Sequence, residues 1–162
     1  MLSLTSNAPL RLLLAGSVAT VGAVTITLSN YGNGPLCTGP VILSCPNIAP
    51  QDCCSANVSF DETLFQGLPP TGIGIVYGGF NCTGNATNSG YGDAVQSNST
   101  KRDEKECNPV LPTTLGIGNR TFEIFGDVPP EVSQDMLDFF EMSRGIAAVP
   151  EVPSHFVPHE LV

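Results

Sequence analysis

The sequence predicts a mostly β domain, stapled by disulfides, with one short helix near its C-terminal end. Three observations predict it. Short runs alternate apolar and polar residues between Gly- and Pro-rich breakers, six cysteines follow an apolar N-terminal leader, and one late stretch places its apolar residues at helical spacing.

The leader, residues 1–23, holds one basic residue, Arg11, no acidic residue, and the apolar run LLLAGSVATVGA, ending in Val21-Gly22-Ala23. This is the pattern of a secretory signal peptide cleaved after Ala23. A membrane anchor would need roughly 20 apolar residues, and this run is too short. The expected product is therefore secreted, extracellular or cell-wall associated, with no membrane anchor after cleavage.

In an oxidising compartment, the even set Cys37, Cys45, Cys53, Cys54, Cys82 and Cys107 reads as a disulfide framework. Six cysteines allow 15 pairings, and excluding a strained bridge between the neighbours Cys53 and Cys54 leaves 12. The cysteines do not read as a metal site, because no CxxC pair occurs and both histidines, His155 and His159, lie far away in the tail. No metal or other cofactor is expected. Five N-glycosylation sequons, at Asn57, Asn81, Asn85, Asn98 and Asn119, agree with a secreted, glycosylated surface.

The elements follow in order. VTITLS sets Val24, Ile26 and Leu28 against Thr25, Thr27 and Ser29, the period of a half-buried strand. Val41–Leu43 is a brief apolar run closed by CPN, and NIAPQDCC has the Pro, Asp and Asn of a tight loop. ANVSF alternates again and reads as a strand with Asn57 facing outward. After the breaker GLPPTG, IGIVY resumes a strand in which Gly74 and Gly78 imply a bulge or a close backbone approach. Residues 84–102, rich in Asn, Ser, Thr and Gly, read as an exposed, glycan-bearing loop. Lys101-Arg102 ends that loop as a candidate dibasic processing site. Five cysteines precede the dibasic pair in the mature chain, so cleavage there would leave two chains tied through Cys107.

TFEIF reads as the last strand of a β domain spanning 24–127. The helix is expected over 128–145, with Val132, Met136, Phe139 and Phe140 on its apolar side and Gly145 as its stop. Residues 146–162 carry three prolines and read as an extended tail, strapped onto the domain or loose.

Charge is uneven. The formal net charge is −9 at pH 7, and residues 103–162 hold eleven of the fifteen acidic side chains against three basic ones. Nucleic acid is excluded as a partner on this ground. No GxSxG, HExxH, P-loop or GxGxxG motif appears, Pro158 separates His155 from His159, and no carboxylate pair is set across a cleft, so no catalysis is expected.

The stretch Tyr31–Cys54 and its shorter echo YGGFNCTG at Tyr77–Gly84 place Tyr-Gly, a Gly-containing turn and Cys-Thr-Gly after a β-like run, with Cys37 and Cys82 45 positions apart. From Val24 to about Gly84 the chain resembles small secreted cysteine-rich fungal proteins, through C-T-G, N-I-A-P and C-C before a GLP turn. It is also similar to βγ-crystallin domains, whose motifs begin with a strand and a Tyr-turn-Gly hairpin, matched here by Tyr31 with Gly39 and Tyr77 with Gly84. That resemblance implies a Greek-key sandwich; the family's calcium signature is absent. A weaker likeness runs to hydrophobins, through Cys45, Cys53-Cys54, Cys82 and Cys107, although the second Cys-Cys doublet is missing. The function these resemblances imply is non-catalytic binding of an extracellular protein or glycan, in the manner of an effector, toxin or inhibitor. The alternatives are a surface-active or structural wall protein and, last, a small secreted hydrolase.

Overall fold

In the computed structural model, the described residues are 23–30, 39–55, 57–69, 72–77, 83, 86–91, 94–96 and 108–162. Residues 1–22 of the leader, Cys37, Gly78, Cys82, Cys107, Asn81, Asn85, Asn98, the Lys101-Arg102 pair and most of the doubled Tyr-Gly turns lie outside them. The fold is mostly β, stapled by a disulfide, with one short helix.

Strands β1 (Val24–Ser29), β2 (Val41–Ile48), β3 (Asp52–Cys54), β4 (Glu62–Gln66), β5 (Ile73–Tyr77), β6 (Ala86–Tyr91), β7 (Ala94–Gln96), β8 (Asn108–Val110), β9 (Thr114–Ile117) and β10 (Arg120–Glu123) precede helix α1 (Pro130–Met142). A 3-10 turn, Ser154–His159, and strand β11 (Glu160–Leu161) complete the chain. Six strands form one antiparallel sheet in the order β11-β10-β9-β2-β1-β4, while β5-β6-β7 form a second sheet and β3-β8 a short parallel pair.

Alternation dictates the core. Register sets Leu28 opposite Leu43, Leu43 opposite Leu115, and Leu115 opposite Phe122, so these four occupy one face of four adjacent strands. Ile26, Cys45 and Phe65 form the neighbouring row, and Val41 meets Ile117. This face is closed by Met136 and Phe140 of α1 and by Phe156. Burying side chains of this size stabilises a fold by about 1.5–3 kcal/mol each before ordering costs. The opposite face of β1 is covered as well, since Thr27 and Ser29 are buried, so the strand is more enclosed than its half-polar pattern predicts.

Several expectations are corrected. The segment 57–60 is irregular, not a strand: Val58 is buried and Ser59 exposed as the alternation implies, but the Ser59 N–H donates to Glu141 Oε1 at 2.9 Å instead of joining a ladder. Alternation reports which side chains are covered, and pairing needs a neighbouring edge. The strand there is β4, the next one along the chain.

β2 runs on through Pro46 and Asn47 rather than closing at Leu43. A register irregularity between Val24 and Ile26 absorbs the proline, which lacks an N–H, and Asn47 takes a positive φ of 59°. The expected tight loop before Cys53 contains a turn, with Asp52 N–H bonded to the Ala49 carbonyl at 3.0 Å, and then strand β3.

The expected exposed loop 84–102 contains β6 and β7, which extend β5 as a meander. Polar composition did not prevent this, because ladder bonds come from the main chain. Gly74 meets its expectation: a Cβ there would sit 2.6 Å from the Phe65 ring, so only glycine lets β5 cross that ring. Of TFEIF only Thr121–Glu123 lie in a strand, β10, with Phe122 buried there and Ile124 buried just beyond it; it is not the last strand, and β9 before it and β11 after it were not anticipated.

The tail is a strap and not merely extended: it turns at Ser154–His159, buries Phe156 against Phe122 and Phe139, and pairs β11 with β10.

Candidate functional site

The cysteine-bearing end of the sheet is built by β2, β3 and β8. Cys45 on β2 and Cys54 on β3 form a disulfide with their Cα atoms 5.8 Å apart. Cys53 is also disulfide-bonded, and because Cys54 pairs with Cys45 the neighbouring pair is not bridged to itself. The parallel pairing of Asp52–Cys54 with Asn108–Val110 holds this end, helped by Asn108 N–H to the Gln51 carbonyl at 3.0 Å and Ser55 N–H to the Val110 carbonyl at 2.8 Å. Bridges here remove freedom from the unfolded chain in a stretch that turns too often to bury much.

The outward side of α1 carries a row of exposed carboxylates. Pro129 and Pro130 open the helix, where a missing N–H costs nothing, and Glu131 stands in the first turn, where a negative charge suits the helix dipole. Glu131, Asp135, Asp138, Glu141 and Met142 are exposed. Three of the carboxylates have neighbours: Asp138 accepts from Gln134 Nε2 at 2.8 Å, Glu141 accepts from Ser59 N–H, and Asp135 Oδ2 lies 3.5 Å from His155 Nε2.

The C-terminal end of α1 has no basic residue in its last turn, and Asn30 serves it instead. Asn30 is buried at the end of β1, donates through Nδ2 to the Phe140 carbonyl at 2.9 Å, and receives the Gly145 N–H on its own carbonyl at 3.0 Å. The helix is shorter than the expected 128–145: it runs from Pro130 to Met142 with Ser143 as its C-cap, and Gly145, with φ of 74°, lies in the turn beyond that cap. Nearby, Arg144 pairs with Asp61 at 3.1 Å.

An open groove of about 310 Å³ lies at the entry to α1, lined by Phe125, Gly126, Val128, Ser133, Gln134 and Leu137 among others. Its one hydroxyl is committed, because Ser133 Oγ donates to the Ile124 carbonyl. At the sheet edge, Arg120 and Glu160 form a two-point ion pair, with Nε to Oε1 at 2.7 Å. Hydrogen bonding to Arg120 is the main cause that holds the Glu160 carboxyl below its ordinary range and raises the Arg120 guanidinium above its own.

Of the predicted site residues, Cys45 and Cys54 come together, and Asn57 and Asn119 stand exposed 62 positions apart on separate turns. His155 and His159 do not converge on a common centre, and among the described residues no group of three His, Cys, Asp or Glu side chains is placed to hold a metal. No described helix is long and apolar enough to cross a membrane. Sequence reasoning missed Asn30, Ser133 and the Arg120–Glu160 pair. Each acts across 9 to 110 positions of chain, and no local pattern in the sequence marks them.

The chain matches no curated protein and no solved structure. A family description does match: the ARB_05566_N N-terminal domain covers residues 27–118, from within β1 to the turn after β9, and leaves β10, α1 and the strap beyond it. With more than half of its length inside that match, the chain belongs to the ARB_05566_N N-terminal domain family.

Proposed function

We propose that this is a secreted, N-glycosylated, cysteine-rich protein that acts by extracellular binding and not by catalysis, in the manner of an effector, toxin or inhibitor. The small secreted fungal proteins and the Greek-key domains of the βγ-crystallin type are the relatives we propose for it. The observation that carries the reading is a set of oxidised cysteines on the same scaffold as a fixed acidic helix face. Oxidised cysteines suit an oxidising compartment. Glu131, Asp135 and Asp138 lie one helical turn apart on an element whose other side is locked into the core, so a partner would meet them without ordering cost. The partner that fits is a cationic extracellular protein or an amine-bearing glycan.

A second reading, a surface-active or structural wall protein, is favoured by one observation. Met142, Ile146, Val149, Val157 and Leu161 leave apolar surface uncovered along the C-terminal segment.

The test uses disulfide-intact protein secreted with its own leader, labelled and added to intact cells and to deacetylated, amine-bearing polysaccharide. Saturable retention that salt releases, with no product formed from polysaccharide, ester or peptide substrates, supports binding. Retention unaffected by salt together with film formation at an air–water interface favours the second reading. Product release that scales with protein concentration overturns both.

A further inference from the structure

The β9–β10 hairpin closes through two residues, Gly118 and Asn119, between the paired Ile117 and Arg120. Gly118 has φ of 61°, which fits the first central position of a type II′ turn and explains the glycine there. Asn119 therefore stands at a hairpin tip, exposed, and Thr121, the hydroxyl residue of its sequon, is exposed on β10.

Two apolar side chains that the fold leaves uncovered flank this tip. Val149 is 60 % exposed and lies so close over the turn that a Cβ on Gly118 would sit 2.9 Å from its Cγ1. Leu161 is 48 % exposed and is the register partner of Thr121 across the β10–β11 ladder. Both belong to the strap, whose ladder with the sheet is only two residue pairs long.

We propose that Asn119 carries an N-linked glycan whose first N-acetylglucosamine units lie over Val149 and Leu161 and hold the strap 146–162 against the sheet. The inference rests on the secreted, glycosylated reading above. In the modification, the Asn119 amide nitrogen bonds to the anomeric carbon of a lipid-diphosphate-linked oligosaccharide. The bond from that carbon to the diphosphate oxygen breaks, the lipid diphosphate departs with its electron pair, and the amide gives up one proton. Pyranose rings present C–H faces as well as hydroxyls, so the sugar covers apolar side chains while its outer rim stays in water. Asn57 is the internal control: it is exposed, but its sequon is tied through Ser59 N–H to Glu141 of α1 and not to the β9–β10 hairpin.

The experiment is peptide mass analysis of the full chain secreted from a eukaryotic host, followed by amide hydrogen exchange at Phe156 and Leu161. Wild type, Thr121→Ser, which keeps the sequon, and Thr121→Ala, which destroys it, are compared with folded wild type stripped of glycans by an amidase. The expected result is an occupied Asn119 in wild type and Thr121→Ser, and exchange in the strap faster by about fivefold in Thr121→Ala and in the stripped protein. An occupied Asn57 with a bare Asn119, or an occupied Asn119 whose removal leaves strap exchange unchanged, overturns the inference and leaves the secreted reading standing. All sequons bare in protein that has passed through the secretory route overturns both.

Discussion

Replacing Phe156 with alanine should release the C-terminal segment from the sheet. The ring is buried, and it meets Phe122 at 6.3 Å and Phe139 at 5.6 Å, both edge to face. Truncating a buried phenylalanine costs about 3–5 kcal/mol, aromatic pairing included. The other tethers are slight. β11 supplies two residue pairs, and net stabilisation per hydrogen bond is about 0.5–1.5 kcal/mol. The Arg120–Glu160 and His155–Asp135 pairs are exposed enough for water to screen them. The ring thus outweighs the remaining contacts, and Phe156→Ala should abolish slow amide exchange at Glu160 and Leu161 and lower the free energy of unfolding by about 3–5 kcal/mol. Val157→Ala is the control: its side chain is 47 % exposed, and the change should stay within about 0.5 kcal/mol. Denaturant titration and residue-resolved exchange measure both. Persistent protection of β11 in Phe156→Ala, with a loss under about 1 kcal/mol, would refute the claim that one ring anchors the strap.

Further outcomes are expected. Changing Cys45 and Cys54 together to serine opens a loop of sequence separation 9, which by loop-closure entropy should cost about 2.5–3 kcal/mol in unfolding experiments; an unchanged midpoint would mean the remaining bridges already restrict that loop. Asn30→Ala removes one donor to the Phe140 carbonyl, which keeps the Ser143 hydroxyl at 2.6 Å, so the loss should be about 1 kcal/mol. Asn30→Asp sets a buried carboxylate beside a helix C-terminus and should cost more than the alanine change; the reverse order, read by denaturation, would count against the capping role. The Glu160 carboxyl is lowered by Arg120, so its stabilisation is present above the ordinary carboxylate value of about 4.3 and is lost as pH falls through the depressed folded value. Wild type should therefore exceed Glu160→Gln in melting temperature at pH 6, and the gap should close below that window; a gap independent of pH would dismiss the linkage.

The strand and helix elements were legible to unequal degrees. β1, β10 and α1 announce themselves, because each carries an apolar period that its own packing then uses. The segment 57–60 carries the same period without being a strand, since Val58 reaches the core from an irregular chain. β6 and β7 have almost no period and still pair, because their partners supply the main-chain bonds. Of the candidate sites, the sequence marked Cys45 and Cys54 as bridge-forming cysteines but could not say that they meet: twelve pairings fit the spacing, and the approach of β2 to β3 joins these two.

By itself the sequence determined the β-rich class, a helix late in the chain, the glycine required where β5 crosses Phe65, and the acidic character of the C-terminal half. These are properties of composition and short-range period, which neighbouring residues settle among themselves. Only the tertiary structure decided that Asn30 would cap a helix 110 positions away, that Phe156 would anchor a proline-rich tail, and that Asn119 would stand beside uncovered valine and leucine. Those contacts join segments distant in the chain, so they exist only once sheet register has brought the segments together.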